Sequence, residues 1–175
     1  MPWSFVLLSA SAEGGRTMAE VSRSETIRML DGVPLFAGLN KRQLAAVAKV
    51  VDHMTFEPGA ELVKELETGR RLIIIHEGTA EVRRQGSAAD GTGTERGAGR
   101  RIATVGPGDV VGELSLIDGK PTSASVVADT KVEALVIYKT RLTKLLTSMP
   151  QLYPGLLVGL ASRIRQLDRV GDLTG

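Results

Sequence analysis

The sequence contains no cysteine and only two histidines among its 175 residues. That removes disulfides, thiolate chemistry and the usual zinc-ligand sets, and it leaves the redox compartment open. Also missing is any run approaching the roughly 18 apolar residues that a membrane-spanning helix needs. Net charge is small, with 22 basic against 20 acidic residues and a formal charge of +2, so a nucleic-acid-binding surface gains no support. No Ser-His-Asp set, metal cluster or nucleotide-triphosphate loop is apparent, and His53 and His76 read most simply as helix-end and strand-turn residues. Neither an enzyme nor a metal or cofactor is expected.

The hydrophobic share of 42% with 24% charged residues belongs to a soluble globular chain. Its length suits one domain with a substantial core and is short for two. The opening residues, MPWSFVLLSASA, place a short apolar run before small residues as a signal peptide does, but no Lys or Arg precedes the run. Residues 1–23 are therefore expected to be disordered or a mis-assigned extension, with Met1 or Met18 as the true start. The domain is expected over 24–170, followed by a tail at 171–175, and the expected location is cytoplasmic.

Ser22-Arg23-Ser24-Glu25 has capping-box spacing, and Ile27 and Leu30 stand three apart before Asp31-Gly32, which predicts a short helix near 23–30. Asn40-Lys41-Arg42-Gln43 is a second cap, behind which Leu44, Val47, Val50 and Val51 follow helical spacing. From Met54 to Tyr138 the texture changes to short β-rich runs divided by Gly and Pro: Leu72 to His76, Ala80 to Arg84, Ile102 to Val105, Ser123 to Ala128 and Ala134 to Tyr138. Such spacing suits a roll or barrel of antiparallel strands. Between two of the runs, GSAADGTGTERGAG at 86–99 reads as a Gly-rich hairpin loop. Helical period returns with Leu142, Leu145 and Leu146, breaks at Pro150, and resumes as Tyr153, Leu157, Leu160, Ile164 and Leu167, spaced like a short heptad seam. That seam either covers the roll or pairs with a partner chain, a second copy included.

The stretch from Gly106 to Val126 carries the chemistry. It holds a turn, a short potential helix starting near Gly112 and a second turn. Free amides at such a helix start favour an anion. Gly112 permits close approach of a ligand, and Glu113 is an acceptor suited to sugar hydroxyls. By spacing alone, Glu113 reads more simply as a solvated or helix-capping residue.

The order of Gly-Asp, Gly-Glu-Leu, Leu-Ile, Gly, Pro and Ser-Ala-Ser-Val in this stretch resembles the phosphate-binding cassette of the cyclic-nucleotide-binding domain family. Upstream, Val33-Pro34-Leu35-Phe36, Glu57-Pro58-Gly59 and His76-Glu77-Gly78 are similar to that family's opening helix and strand turns. The resemblance covers roughly residues 25 to 170. It implies a mainly β fold, an eight-stranded antiparallel β-roll with N-terminal and C-terminal helices, holding cAMP or cGMP at the cassette. By position it implies ribose contacts from Gly112 and Glu113, a cyclic phosphate near the amides of Leu114 and Ser115, and assistance from Ser123.

One departure matters. Where the family places an arginine after the cassette proline, this chain has Thr122. An arginine supplies charge and a paired-donor fork to a phosphate, whereas threonine supplies one neutral hydroxyl. Lys120 in an extended segment, or Arg163 reaching over from the last helix, are candidate replacements; each is otherwise a surface residue. Leu167 offers apolar contact to a base. Two functions follow from the resemblance: a non-catalytic sensor of a cyclic nucleotide or related phosphate ligand, or a degenerate member working through protein contacts along its helical seam. A transcription factor of the catabolite-activator type is disfavoured, because no helix-turn-helix domain follows the last helix.

Overall fold

The computed structural model describes residues 15–17, 21–85 and 99–171, apart from the side chains of 15–17 and of much of the last helix. Helix α1 spans Arg23–Asp31, a 3-10 turn spans Pro34–Phe36, and α2 spans Lys41–Ala48. The Ser22 hydroxyl accepts from the Glu25 amide at the start of α1. At α2 the Asn40 and Gln43 side chains cap reciprocally, at 3.0 and 2.9 Å, so two of the amides that a helix start leaves over are satisfied. The helix ends at Ala48, before Val50 and Val51, yet Val51 remains buried in the turn that follows.

Among the described residues, nine strands follow or flank these helices: β1 Gly15–Thr17, β2 Asp52–Phe56, β3 Glu61–Val63, β4 Arg71–Glu77, β5 Ala80–Arg84, β6 Arg100–Val105, β7 Val110–Val111, β8 Ser125–Ala128 and β9 Val132–Tyr138. They form a five-stranded sheet in the order β1-β2-β9-β4-β7 and a four-stranded sheet in the order β3-β8-β5-β6. Strands β2 to β9 are the expected antiparallel eight-stranded roll. Strand β1 lies within the segment expected to stand outside the domain; it pairs Gly15 with Phe56 and Thr17 with Met54, using the backbone groups that the outer edge of β2 leaves exposed.

The uninterrupted apolar runs of β4 and β9 are explained by burial on both faces. Leu72 and Ile74 of β4, with Leu135 and Ile137 of β9, pack against the helices. Ile73 and Ile75, with Ala134 and Val136, point the other way into the core shared with the second sheet, as the two-residue period of a strand requires. A strand buried on one face alternates apolar with polar; one buried on both does not.

Helix α4, Lys139–Ser148, and α5, Leu152–Gly171, close the chain. Leu152 and Leu156 dock α5 in the helical core. Tyr153 and Leu157, the first members of the expected seam, are instead exposed, as is Val158. Gly155 sets this orientation: a Cβ there would lie 2.1 Å from the Leu35 carbonyl oxygen, so the helix approaches the 3-10 turn along its glycine side. Ile164 and Leu167 carry side chains outside the described residues, and the loop at 86–98 is outside them too.

Helix α1 is tied to the sheet through Thr26, whose hydroxyl lies 2.8 Å from His53 Nε2. Partial burial here, reinforced by the nearby His76, pushes the His53 imidazole below its ordinary pKa, against the opposing pull of Glu25 and Asp52.

Candidate functional site

The segment between β6 and β8 is a chain of tightly specified turns. Asp109 accepts from the Gly106 amide at 2.8 Å, and the Gly108 amide donates to Ile75 O at 2.8 Å, which seats β7 on β4. Gly112 then turns the chain with φ +83°, and a Cβ at this position would stand 2.6 Å from the Arg71 carbonyl oxygen. Both the backbone conformation and the approach to β4 require glycine. Helix α3, Glu113–Asp118, starts immediately afterwards and ends at Gly119, also left-handed.

Two hydroxyls fasten this segment to the β3–β4 loop. Ser115, 2% exposed, accepts from the Gly69 amide at 2.8 Å and donates to Lys120 O at 2.5 Å. Thr122, also buried, donates its hydroxyl to Lys64 O, with Glu67 O a further acceptor at 3.2 Å. Its amide donates to Glu67 O and its carbonyl accepts from the Leu66 amide, both at 2.9 Å. Thr122 thus acts as a main-chain clasp, and its hydroxyl proton is already engaged.

Gly112, Glu113, Leu114, Ser115, Thr122 and Ser123 all line one cavity of about 410 Å3. Its opposite wall comes from the second sheet: Val82 and Arg84 of β5 and Ile102 to Val105 of β6. Glu113 is buried whereas Leu114 is half exposed. A larger cavity of about 730 Å3 runs along the β3–β4 loop; it shares only Val63, Gly112 and Thr122 with the first and does not include Glu113. The smaller cavity is the one that gathers the candidate residues.

Lys120 is not among its lining residues. The lysine is exposed, its amide donates to Asp118 Oδ1 at 2.9 Å, and its carbonyl is the Ser115 acceptor. Arg163 falls in α5, where its side chain lies outside the described residues. The residue that sequence reasoning passed over is Arg84. Its signal was available in the Arg83-Arg84 doublet closing a predicted strand, because strand alternation sends one of two adjacent residues to each face.

A third cavity, of about 280 Å3, lies beneath α5 between Leu35, Val110, Gly155 and Leu156, and Glu113 borders it as well. Among the described residues, no helix is long and apolar enough to cross a membrane.

An antiparallel roll that closes a cavity with a strand, a left-handed glycine, a buried glutamate and a short helix defines a ligand-binding module of the cyclic-nucleotide type. The family model described as "Cyclic nucleotide-binding domain" matches residues 53–149, and the chain belongs to that family. The CRP-like cAMP-activated global transcriptional regulator of Mycobacterium tuberculosis is 30% identical over 132 residues, covering 75% of this chain. The present chain spans only 55% of that regulator's length. A cyclic nucleotide-binding domain from Methylobacillus flagellatus has a similar structure, with a TM-score of 0.67, 27% identity and coverage of 85% of this chain and 82% of that one. The regulatory subunit of a cAMP-independent protein kinase A from Trypanosoma cruzi, bound to guanosine, gives a TM-score of 0.68 at 26% identity, covering 87% of this chain and 49% of that one.

Proposed function

We propose that this chain is a non-catalytic sensory module that binds a cyclic nucleotide, cAMP or cGMP, in the cavity under α3 and reports occupancy through α5. The observation that carries the reading is the convergence of Gly112 to Ser115 and Thr122 to Ala124 on one 410 Å3 space, a volume typical of small-molecule sites. Glu113 accepts hydrogen bonds from the ribose, Gly112 lets the sugar approach the main chain, and the Leu114 and Ser115 amides with the Ser123 hydroxyl serve the phosphate. Ile102, Val105 and Val126 supply an apolar wall for the base.

A second reading, an uncharged nucleoside as ligand, is favoured by Thr122. Its hydroxyl is engaged by Lys64, so the cassette offers no guanidinium to a phosphate. Hydrogen bonds to charged groups contribute about 1.5–3 kcal/mol, so relative to an arginine-bearing cassette the affinity for a phosphate falls by about tenfold to more than a hundredfold. The T. cruzi subunit bound to guanosine is in keeping with this alternative.

Calorimetry with cAMP, cGMP, adenosine and guanosine separates the readings. Tighter binding of a cyclic nucleotide than of its nucleoside is the expected result, and the reverse order selects the nucleoside. Absence of heat and of thermal stabilisation at millimolar concentrations of all four would sink both. The module would then act by protein contacts, for which the exposed Tyr153, Leu157 and Val158 of α5 form the available face, a second copy of the chain included.

A further inference from the structure

We propose that Arg84 supplies the positive charge that the cassette lacks at Thr122, so that the cavity binds the phosphodiester anion of a cyclic nucleotide from the strand side. The inference rests on the cavity being a nucleotide site.

Strand β5 alternates. Val82 and Arg84, two residues apart, line the cavity, while Glu81 and Arg83 lie on the opposite face. There the Glu81 carboxylate takes Arg83 at 2.6 Å and Arg101 at 3.3 Å, and these bonds hold it below the usual carboxylate range. Both outer arginines are thus paired with Glu81, whose single negative charge offsets one of the two. Arg84 is different: no carboxylate among the described residues pairs with it. Its single described hydrogen bond runs from Nε to the Ser123 carbonyl oxygen at 3.2 Å.

That bond, together with its place in the cavity lining, is what makes the exposed Arg84 a candidate. Ser123 directly follows Thr122, the position from which the expected arginine would project. A guanidinium anchored by Nε to the Ser123 carbonyl lies beside the same turn, and no described residue engages its terminal nitrogens, which form a planar donor pair. Much of the surrounding wall is aliphatic, from Val63, Val82, Ile102 and Val126, so a charge at its edge is less screened toward the interior than one in open water. Because Arg84 is fixed to the cassette turn, an anion held there joins β5 to the cassette. Lys120, exposed and outside the lining, is not so placed.

The test is calorimetry on the full chain with cAMP and with adenosine, which share base and ribose and differ in the anion. Wild type is expected to prefer cAMP, and the preference is expected to weaken as salt rises. Arg84→Gln should reduce cAMP affinity by about tenfold to a hundredfold and leave adenosine within about threefold. Arg84→Lys, which keeps the charge and loses the fork, should fall between. Arg101→Gln removes an equal charge from the outer face and should leave both ligands unchanged. Thermal unfolding of all variants should match wild type, as befits exposed side chains. Unchanged cAMP affinity in Arg84→Gln overturns the inference, and so does an equal loss for both ligands, which would assign Arg84 to shape and not to charge. Wild type that binds adenosine without preferring cAMP overturns the inference alone, while wild type that binds neither overturns the nucleotide site with it.

Discussion

Replacing Ser115 with alanine should loosen the cassette while sparing every main-chain group offered to a ligand. The Ser115 hydroxyl links three elements: it accepts from the Gly69 amide of the β3–β4 loop and donates to the Lys120 carbonyl at the far end of the cassette, with the side chain 2% exposed between them. Alanine removes both bonds and fills nearly the same space. Each bond is worth about 0.5–1.5 kcal/mol net, and more where the abandoned partner stays dry. Lys120 is exposed, so its carbonyl regains water cheaply; the Gly69 amide is half-buried and does so less easily. The sum is about 1–3 kcal/mol. For a domain of this size, with about 2–4 °C per kcal/mol, the melting temperature should fall by about 2–12 °C, and the urea midpoint should drop with an unchanged slope. Hydrogen exchange at the Gly69 amide should accelerate specifically, because that donor has lost its acceptor. A melting temperature within about 1 °C of wild type, together with a still-protected Gly69 amide, would refute the clasp.

The remaining expectations concern the two helical ends of the domain. Gly155→Ala gains about 1 kcal/mol of helix propensity but places a methyl group 2.1 Å from the Leu35 carbonyl oxygen; net destabilisation and faster proteolysis within α5 are expected, and a rise in melting temperature would contradict the packing. His53 has its pKa pushed down by burial and by His76, so the folded state favours the neutral imidazole. Its contribution to stability is fully present above about pH 6.5 and is lost as the pH falls through the lower folded-state value. Urea midpoints at about pH 7.5 and pH 5 should therefore differ more for wild type than for His53→Gln, and equal differences would remove His53 as the cause.

What the sequence disclosed and what it concealed divide along physical lines. The runs in β4, β5, β6 and β9 were legible because long apolar or alternating stretches encode burial directly, and the caps at Ser22 and Asn40 were legible because capping is local. Strands β3 and β7 are too short to show a period, and β2 carries polar His53, whose partner Thr26 on α1 is reached only in three dimensions. Which face of α5 docks was not legible for a similar reason. Its spacing is helical on either neighbouring face, and the docked face is chosen by Gly155 meeting Leu35, a contact 120 residues apart in sequence. The Gly112-Glu113 turn drew attention through its resemblance to the family cassette, and the structure gives Gly112 the left-handed conformation and buries Glu113. The Thr122 clasp was not legible, since its acceptors Lys64 and Glu67 lie in a distant loop, and the Arg84 position depends on the register of β5 against β8, which pairs Arg83 with Ser125.

The position of Glu113 bears on how such a module reports its ligand. This buried carboxylate borders both the 410 Å3 cavity and the 280 Å3 space beneath α5, whose other walls include Leu35, Gly155 and Leu156. The docking of α5 depends on those residues: Leu156 is buried and Gly155 touches the Leu35 main chain. A ligand that bonds Glu113 acts on a wall common to both spaces. Only the difference in its affinity for the docked and undocked arrangements can move the helix. A tenfold shift in that equilibrium needs about 1.4 kcal/mol, within the reach of one hydrogen bond to a charged group. Under the proposed function, a ligand bond to Glu113 that is made in only one arrangement of α5 would shift that equilibrium by about tenfold or more.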